Sequence, residues 1–301
     1  MDEMMKSVSY LVGVLLVSLA LPVVAIAQFT SVRVQVIDRG QADGILIRTP
    51  NSEWVVIDAG TNMKQAESMA DPDIWNVDSV AVAFVSHRHA DHFGGMDDVL
   101  GSIPVGLLVM NMDDCPGRIT DDKVRKAATD EGIATQGMGA DTLIVDGVKF
   151  IVLPPDDTLD DCPNHENNNS ILVRMEFGDF SMLFTGDSET DQRTWLMENH
   201  PEMLDVDVLK ASHHGSINGV DGSVGGKTWM QHVNPRAVIL TAGEGNTHGH
   251  PDPEAMDIYE PAVGLNKVYC TSRMGTIRVY GRTDGTSSIF KQERFNGSCR
   301  F

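Results

Sequence analysis

Basic side chains are scarce in this chain: 23 lysines and arginines stand against 43 aspartates and glutamates, a formal net charge of −20 at pH 7. A surface that acidic repels nucleic acid unless a local basic patch or a bound cation reverses the sign. The densest basic stretch, "KVRKAA" at 123–128, follows "TDD" and reads as one solvated side of a helix, so no such patch is legible. Cysteine is also sparse, with four in the chain and none in CxxC spacing. That argues against a zinc knuckle and leaves Cys115, Cys162, Cys270 and Cys299 for up to two disulfides, in any of three pairings. Aromatic residues make up only 6%. Trp54, Trp75, Trp195 and Trp229 read as core or groove aromatics and imply no cofactor box. No linker rich in proline or serine divides the chain and no short-period repeat runs through it, which points to one folded unit after the N-terminus.

What is present begins with a long apolar run, "SYLVGVLLVSLALPVVAIA", preceded by Lys6 and ending in Ala25-Ile26-Ala27. Small residues at the −3 and −1 positions suit a secretory cleavage site. Residues 1–27 are therefore expected to be a signal peptide and 28–301 the mature domain, exported to the periplasm or beyond the cell. The alternative is an uncleaved anchor, since the run is long enough to span a bilayer.

After the run, "VRVQVI", "ILIRT" and "WVVID" read as a meander of strands, "VAVAFVS" as a buried strand, and "MDDVLGS" as a helix opening after Gly94-Gly95. A short helix is expected at 63–70 and another around 121–131. "SILVRMEF" and "FSMLFTGD" form a hairpin turned at Gly178-Asp179. Strand groups alternate with single helices twice. The pattern suggests an α/β fold of two sheets packed face to face with helices outside, a four-layer αββα sandwich.

The densest chemistry lies in "SHRHADHFGG" at 86–95, where His87, His89, Asp91 and His92 give H-x-H-x-D-H at the end of an apolar strand. On extended chain, residues two apart face one side, so His87 and His89 can converge on one metal. The turn that follows lets Asp91 and His92 address a second. Imidazole with carboxylate is the ligand set of zinc, manganese or iron, and not of calcium.

Further stations follow in order: "VVIDAG" with Asp58, "LFTGDSE" with Asp187 and "LKASHHGS" with His213-His214. Together these motifs resemble the metallo-β-lactamase superfamily, over nearly the whole mature chain. "VQVIDRGQADGILIRTP", "NNNSILVRM", "GHP" and "VYCTSRMGTIRV" are similar to its ComEC-type hydrolase-domain branch. The resemblance implies the four-layer fold and two divalent metal ions, with zinc expected and manganese the alternative. It implies His87 and His89 on the first metal, Asp91, His92 and His214 on the second, and Asp187 bridging. His213, the other candidate for the last histidine place, would then face substrate and bond an anionic oxygen. His165 is a candidate third ligand of the first metal, although the branch tends to carry asparagine there, which makes Asn167 the other candidate. His250, in "GNTHGHPDPEA", is implied as a pocket residue, so Asp91, His213 and His250 are the expected catalytic group. Asp58 is expected behind the ligands, orienting them.

The implied activity is hydrolysis of a phosphodiester or related phosphoester by a metal-activated hydroxide. The acidic surface favours a small-molecule or cell-surface phosphoester over a long polyanion, with single-stranded DNA as a disfavoured alternative. Two other readings stay open: an acyl hydrolase of the β-lactamase or lactonase type, and a non-catalytic metal-binding protein on the same scaffold.

Overall fold

The computed structural model describes residues 31–61, 77–111, 119–137, 141–155, 166–293 and 297–300. The apolar run, the expected helix at 63–70, Trp75, Cys115, Cys162 and His165 lie outside the described residues. Among the described residues no helix is long and apolar enough to cross a membrane.

The chain first lays down β1 (Ser31–Val36), β2 (Gly44–Arg48) and β3 (Trp54–Ala59) as an antiparallel meander. It continues through β4 (Val80–Val85), β5 (Val105–Met110) and β6 (Ala134–Gln136) as parallel neighbours. Then it crosses to a second sheet with β7 (Thr142–Val145), β8 (Val148–Leu153), β9 (Leu172–Phe177), β10 (Phe180–Phe184) and β11 (Val208–Lys210). A small ribbon, β12 (Ser223–Val224) with β13 (Lys227–Thr228), precedes β14 (Ala237–Leu240) and β15 (Val268–Cys270). A final hairpin, β16 (Ile277–Arg282) and β17 (Ser287–Lys291), returns to the first sheet and pairs antiparallel with β1. The eight-stranded sheet runs β17-β16-β1-β2-β3-β4-β5-β6 and the seven-stranded sheet β15-β14-β11-β10-β9-β8-β7.

Side-chain alternation makes the sandwich. Val32, Val34 and Val36 of β1 and Ile277 and Val279 of β16 point inward to Phe150, Met175, Phe180 and Met182 of the other sheet, in one continuous core. β4 is apolar on both faces because both are covered: Val82 and Phe84 join the inter-sheet core, whereas Val80, Ala83 and Val85 pack under the helices Met96–Ser102 and Ile119–Asp130. On the far side, the helices Thr190–Asn199, Trp229–Val233 and Pro253–Val263 bury Leu196, Trp229 and Tyr259 against the second sheet. Each such side chain removed from water contributes roughly 1.5–3 kcal/mol. The outcome is the four-layer αββα arrangement expected.

Several elements differ from expectation. β6, β7 and β17 are short or edge strands with half-exposed, partly polar sequences, so alternation signals them weakly. The segment 215–226 is not a simple glycine loop: it holds a 3-10 turn at Ile217–Gly219 and the first strand of the small ribbon. Cys270 and Cys299 form a disulfide with Cα atoms 5.8 Å apart, tying the end of β15 to the C-terminal tail.

Where β16 crosses β10, a Cβ on Gly281 would stand 2.0 Å from Phe180 Cδ1. Phe180 is fully buried and has nowhere to turn. Gly281→Ala is expected to destabilise the protein by about 1–3 kcal/mol through overpacking. A lowered denaturant midpoint with unchanged m-value would bear this out, and an unchanged midpoint would contradict it.

Candidate metal centre

The ligand-type residues converge at one end of the sandwich. His87 and His89 follow the C-terminal end of β4, and Asp91 and His92 lie in the single helical turn Ala90–Phe93. Asp187 follows β10 through the turn Thr185-Gly186-Asp187. Gly186 has φ +51°, and a Cβ there would meet Ser86 at 2.8 Å. Only glycine lets this turn lie against the His87 loop. His213 and His214 follow β11 in the 3-10 turn Ser212–Gly215, both in the left-handed region (φ 47° and 53°). That conformation costs non-glycine residues roughly 1 kcal/mol or more each and clusters at functional sites. Here it separates the two rings: His214 is buried at 1% exposure, while His213 lies on a cleft wall.

Ligand atoms fall into two sets that share one carboxylate. Asp91, His92, Asp187 and His214 have donor atoms within 4.8 Å of one another, as do His87, His89 and Asp187. His92 Nε2 is 3.1 Å from Asp187 Oδ1, and His214 Nε2 is 3.3 Å from Asp91 Oδ2.

The rings are turned by partners behind them. His92 Nδ1 donates to Asp58 Oδ2 at 2.8 Å. Asp58 also accepts from the Ser86 hydroxyl at 2.7 Å and the Ser86 backbone N–H at 2.8 Å. With its proton committed to Asp58, Ser86 Oγ can accept from His87 Nδ1 at 3.1 Å. Behind His214, Thr241 Oγ1 donates to Asp43 Oδ1 at 2.5 Å and accepts from His214 Nδ1 at 3.1 Å. Asp43 is neutralised by Lys210, whose fully buried Nζ lies 2.7 Å away. Losing either member of such a buried pair costs about 3–5 kcal/mol.

These bonds leave the acceptor Nε2 atoms of His92 and His214 facing each other, 3.3 Å apart. His87 Nε2 and His89 Nδ1 are also close, at 3.0 Å. Two lone pairs at such distances repel unless a proton or a cation lies between them. Asp187 Oδ1 is buried and meets His92 Nε2 at 3.1 Å. Donor chemistry and the facing nitrogens gathered round this carboxylate fit divalent metal ions.

The metal-free charge state reflects the same strain. Burial opposes charge on His92, but Asp187 and Asp58 overcome it and hold the imidazolium well above the usual histidine range. Burial, with His92 beside it, pushes His87 well below that range. Burial would raise Asp187, yet His92 and His214 hold it well below the usual carboxylate value. Asp91 is likewise lowered, against burial, by the hydrogen bond from His214 and the charge of His92.

A cleft of about 310 Å³ opens over the cluster. His213, Asn167, His250, His248 and Gln41 stand on its walls beside Asp91 and Asp187. His213 Nδ1 is 3.1 Å from Glu189 Oε1, which also accepts from Asn167 Nδ2 at 2.9 Å. His250 Nδ1 is 3.1 Å from Asp252 Oδ1. Sequence reasoning named the inner residues but missed Asp43, Lys210, Thr241 and Glu189. The first, second and last sit inside motifs already singled out, "GQADG", "LKASHHGS" and "LFTGDSE"; Thr241 carries no local signal.

Comparison with known proteins places these observations. The family profile described as "Metallo-beta-lactamase superfamily" matches residues 37–224. The chain is similar to the ComE operon protein 3 of Bacillus subtilis (strain 168), 28% identical over 279 residues covering 85% of this chain and 34% of that protein. It is also similar to competence protein ComA of Neisseria gonorrhoeae, 27% identical over 222 residues covering 72% of this chain and 28% of that protein. The chain thus spans about a third of the length of these relatives. Among solved structures it resembles CmlA, a diiron beta-hydroxylase from Streptomyces venezuelae, with a TM-score of 0.54 at 14% identity, over 84% of this chain and 54% of CmlA. It also resembles the metallo-beta-lactamase fold protein YhfI of Bacillus subtilis, with a TM-score of 0.51 at 10% identity, over 79% and 96%. These two likenesses show the fold.

Two outcomes are expected. Because the metal-free cluster holds a proton on His92, metal uptake must release it, so affinity should rise with pH through the raised His92 pKa. Calorimetry in buffers of different ionisation enthalpy should register net proton release; its absence would contradict the assignment. Thr241→Val removes the hydroxyl between His214 and Asp43 and should weaken metal binding by roughly 10–100-fold, read by competition with a chromophoric chelator. Unchanged affinity would mean that His214 is oriented by other contacts.

Proposed function

The chain belongs to the metallo-beta-lactamase superfamily, and from that premise we propose that it is an exported, dinuclear metal-dependent hydrolase acting on a phosphodiester or related phosphoester. The observation that carries this reading is the pair of ligand sets joined at Asp187 beneath an open cleft. His87 and His89 would hold one metal and Asp91, His92 and His214 the other, with Asp187 shared. Asn167, whose buried Oδ1 has no partner among the described residues, is the described candidate to complete the first site; His165 is the other. Residues 1–27 would direct export and 28–301 form the hydrolase.

Zinc, or manganese in its place, would supply Lewis acidity for the charge of the transition state and lower the pKa of a water nucleophile. The chain supplies the rest. His213 and His250, turned by Glu189 and Asp252, bind and orient the non-bridging oxygens. Burial opposes charge on His213, but Glu189 and Asp187 raise its pKa above the usual histidine value, which favours a donor toward an anion. Among the described residues no serine, threonine or cysteine side chain lines the cleft. The cleft is at the small end of ligand sites and the surface is strongly acidic. Both favour a small or surface-displayed phosphoester, with single-stranded DNA the disfavoured alternative.

The test is turnover of bis(p-nitrophenyl) phosphate by protein loaded with zinc or manganese, beside nitrocefin. The proposal expects metal-dependent release from the phosphodiester alone, abolished in a folded Asp187→Ala variant. Turnover of the lactam alone would replace it with acyl chemistry. Activity that survives Asp187→Ala would remove the shared carboxylate from the mechanism.

A further inference from the structure

Among the described residues, the outer face of the eight-stranded sheet is covered unevenly. Its apolar layer under the helices Met96–Ser102 and Ile119–Asp130 draws Leu46, Trp54, Val56 and their neighbours from β2 to β5, and takes no residue from β1, β16 or β17. At that end, pairing aligns the outward side chains into rows. Tyr280, Arg33 and Arg48 lie side by side across β16, β1 and β2, and Arg278 lies beside Phe290 of β17. Arg282 faces outward one step beyond Tyr280. Arg33 stands over the Tyr280 ring at 5.8 Å, Arg48 over Trp54 at 5.6 Å, and Phe290 meets Tyr280 edge-on at 5.5 Å.

β1, β2, β16 and β17 contain no aspartate or glutamate, in a chain that has 43. Like charges directly opposite on neighbouring strands oppose each other, and Arg33 and Arg48 are such a pair. Arg33 donates to the neutral Gln35 at 2.7 Å and Arg282 to the neutral Ser288 at 3.2 Å, while the exposed Asp284 of the β16–β17 turn feels the charge of Arg282. Phe290 is 56% exposed. The basic patch that the linear sequence conceals is therefore assembled by strand pairing across some 250 residues of chain.

We propose that this face docks on a bilayer surface rich in anionic phospholipid. Arginines bind lipid phosphates there, and an exposed aromatic ring settles at the headgroup boundary. Under the alternative in which the apolar run is retained, position along the chain also favours a membrane over other polyanions. The apolar run ends at Ala27 and Arg33 follows six residues later, so a retained run would hold the face within roughly 20 Å of the bilayer at the reach of extended chain. After cleavage the face keeps its charge, and attachment then depends on it alone. Beyond a Debye length of about 8 Å the acidity of the other surfaces is screened.

The test floats the protein, purified as the cell delivers it, on vesicles of phosphatidylcholine alone and of phosphatidylcholine mixed with phosphatidylglycerol. The anionic lipid should raise the bound fraction, and high salt should reverse the gain. Arg33→Gln with Arg282→Gln should cut the gain by roughly fivefold per arginine while metal content stays unchanged. Should that pair fail to fold, Arg282→Gln with Phe290→Ser, one half-buried and one exposed position, replaces it. Equal gain in wild type and variant, or no response to anionic lipid, would overturn the proposal. Loss of single-stranded oligonucleotide binding in the variant, with vesicle binding intact, would overturn it in favour of a nucleic-acid face.

Discussion

Asp187 is a buried carboxylate around which four imidazoles gather: His92 Nε2 at 3.1 Å, His214 at 3.6 Å, His213 at 3.8 Å and His87 at 3.9 Å. Such a group is costly to bury unless positive charge compensates it. The rest of the molecule can be understood as the means of keeping it there. β10 delivers it, Gly186 lets its turn close on Ser86, and Ser170 Oγ accepts from its backbone N–H at 3.1 Å. Both sheets then contribute the surrounding rings, β4 from one and β11 from the other, so the site exists only when the sandwich is assembled.

A second layer of charge stands behind the rings. Asp58 holds His92, and the chain Lys210–Asp43–Thr241 holds His214, each turning Nε2 toward the centre. Lys210 neutralises Asp43, so this layer adds little net charge while fixing ring orientation. The nearby Asp43, Asp58 and His92 group could be mistaken for a third metal position. Its oxygens are already occupied by Lys210, Thr241, Ser86 and His92, which marks it as support for the ligands.

How much of this could be read from the sequence depended on distance along the chain. His87, His89, Asp91 and His92 fall within six positions, so spacing alone announced them. Between His213 and His214 the resemblance points to His214; two consecutive left-handed residues, which no composition reveals, bury that ring and leave His213 on the cleft wall. Asp43, Lys210 and Thr241 join residues up to 198 positions apart; the first two stand inside legible motifs, but nothing local tells that they pair, and Thr241 has no signature at all. The same reason hid the arginine face: its members are single residues in alternating strands, each unremarkable alone. The edge strands β6, β7 and β17 escaped because their exposed positions blur the alternation.

The central claim is that two metal ions share Asp187, and anomalous diffraction from crystals grown with manganese or zinc tests it most directly. Two peaks are expected, one beside His87 and His89 and one beside Asp91, His92 and His214, with Asp187 between them. A single peak, or a peak at the Asp43–Asp58 group instead, would contradict the account.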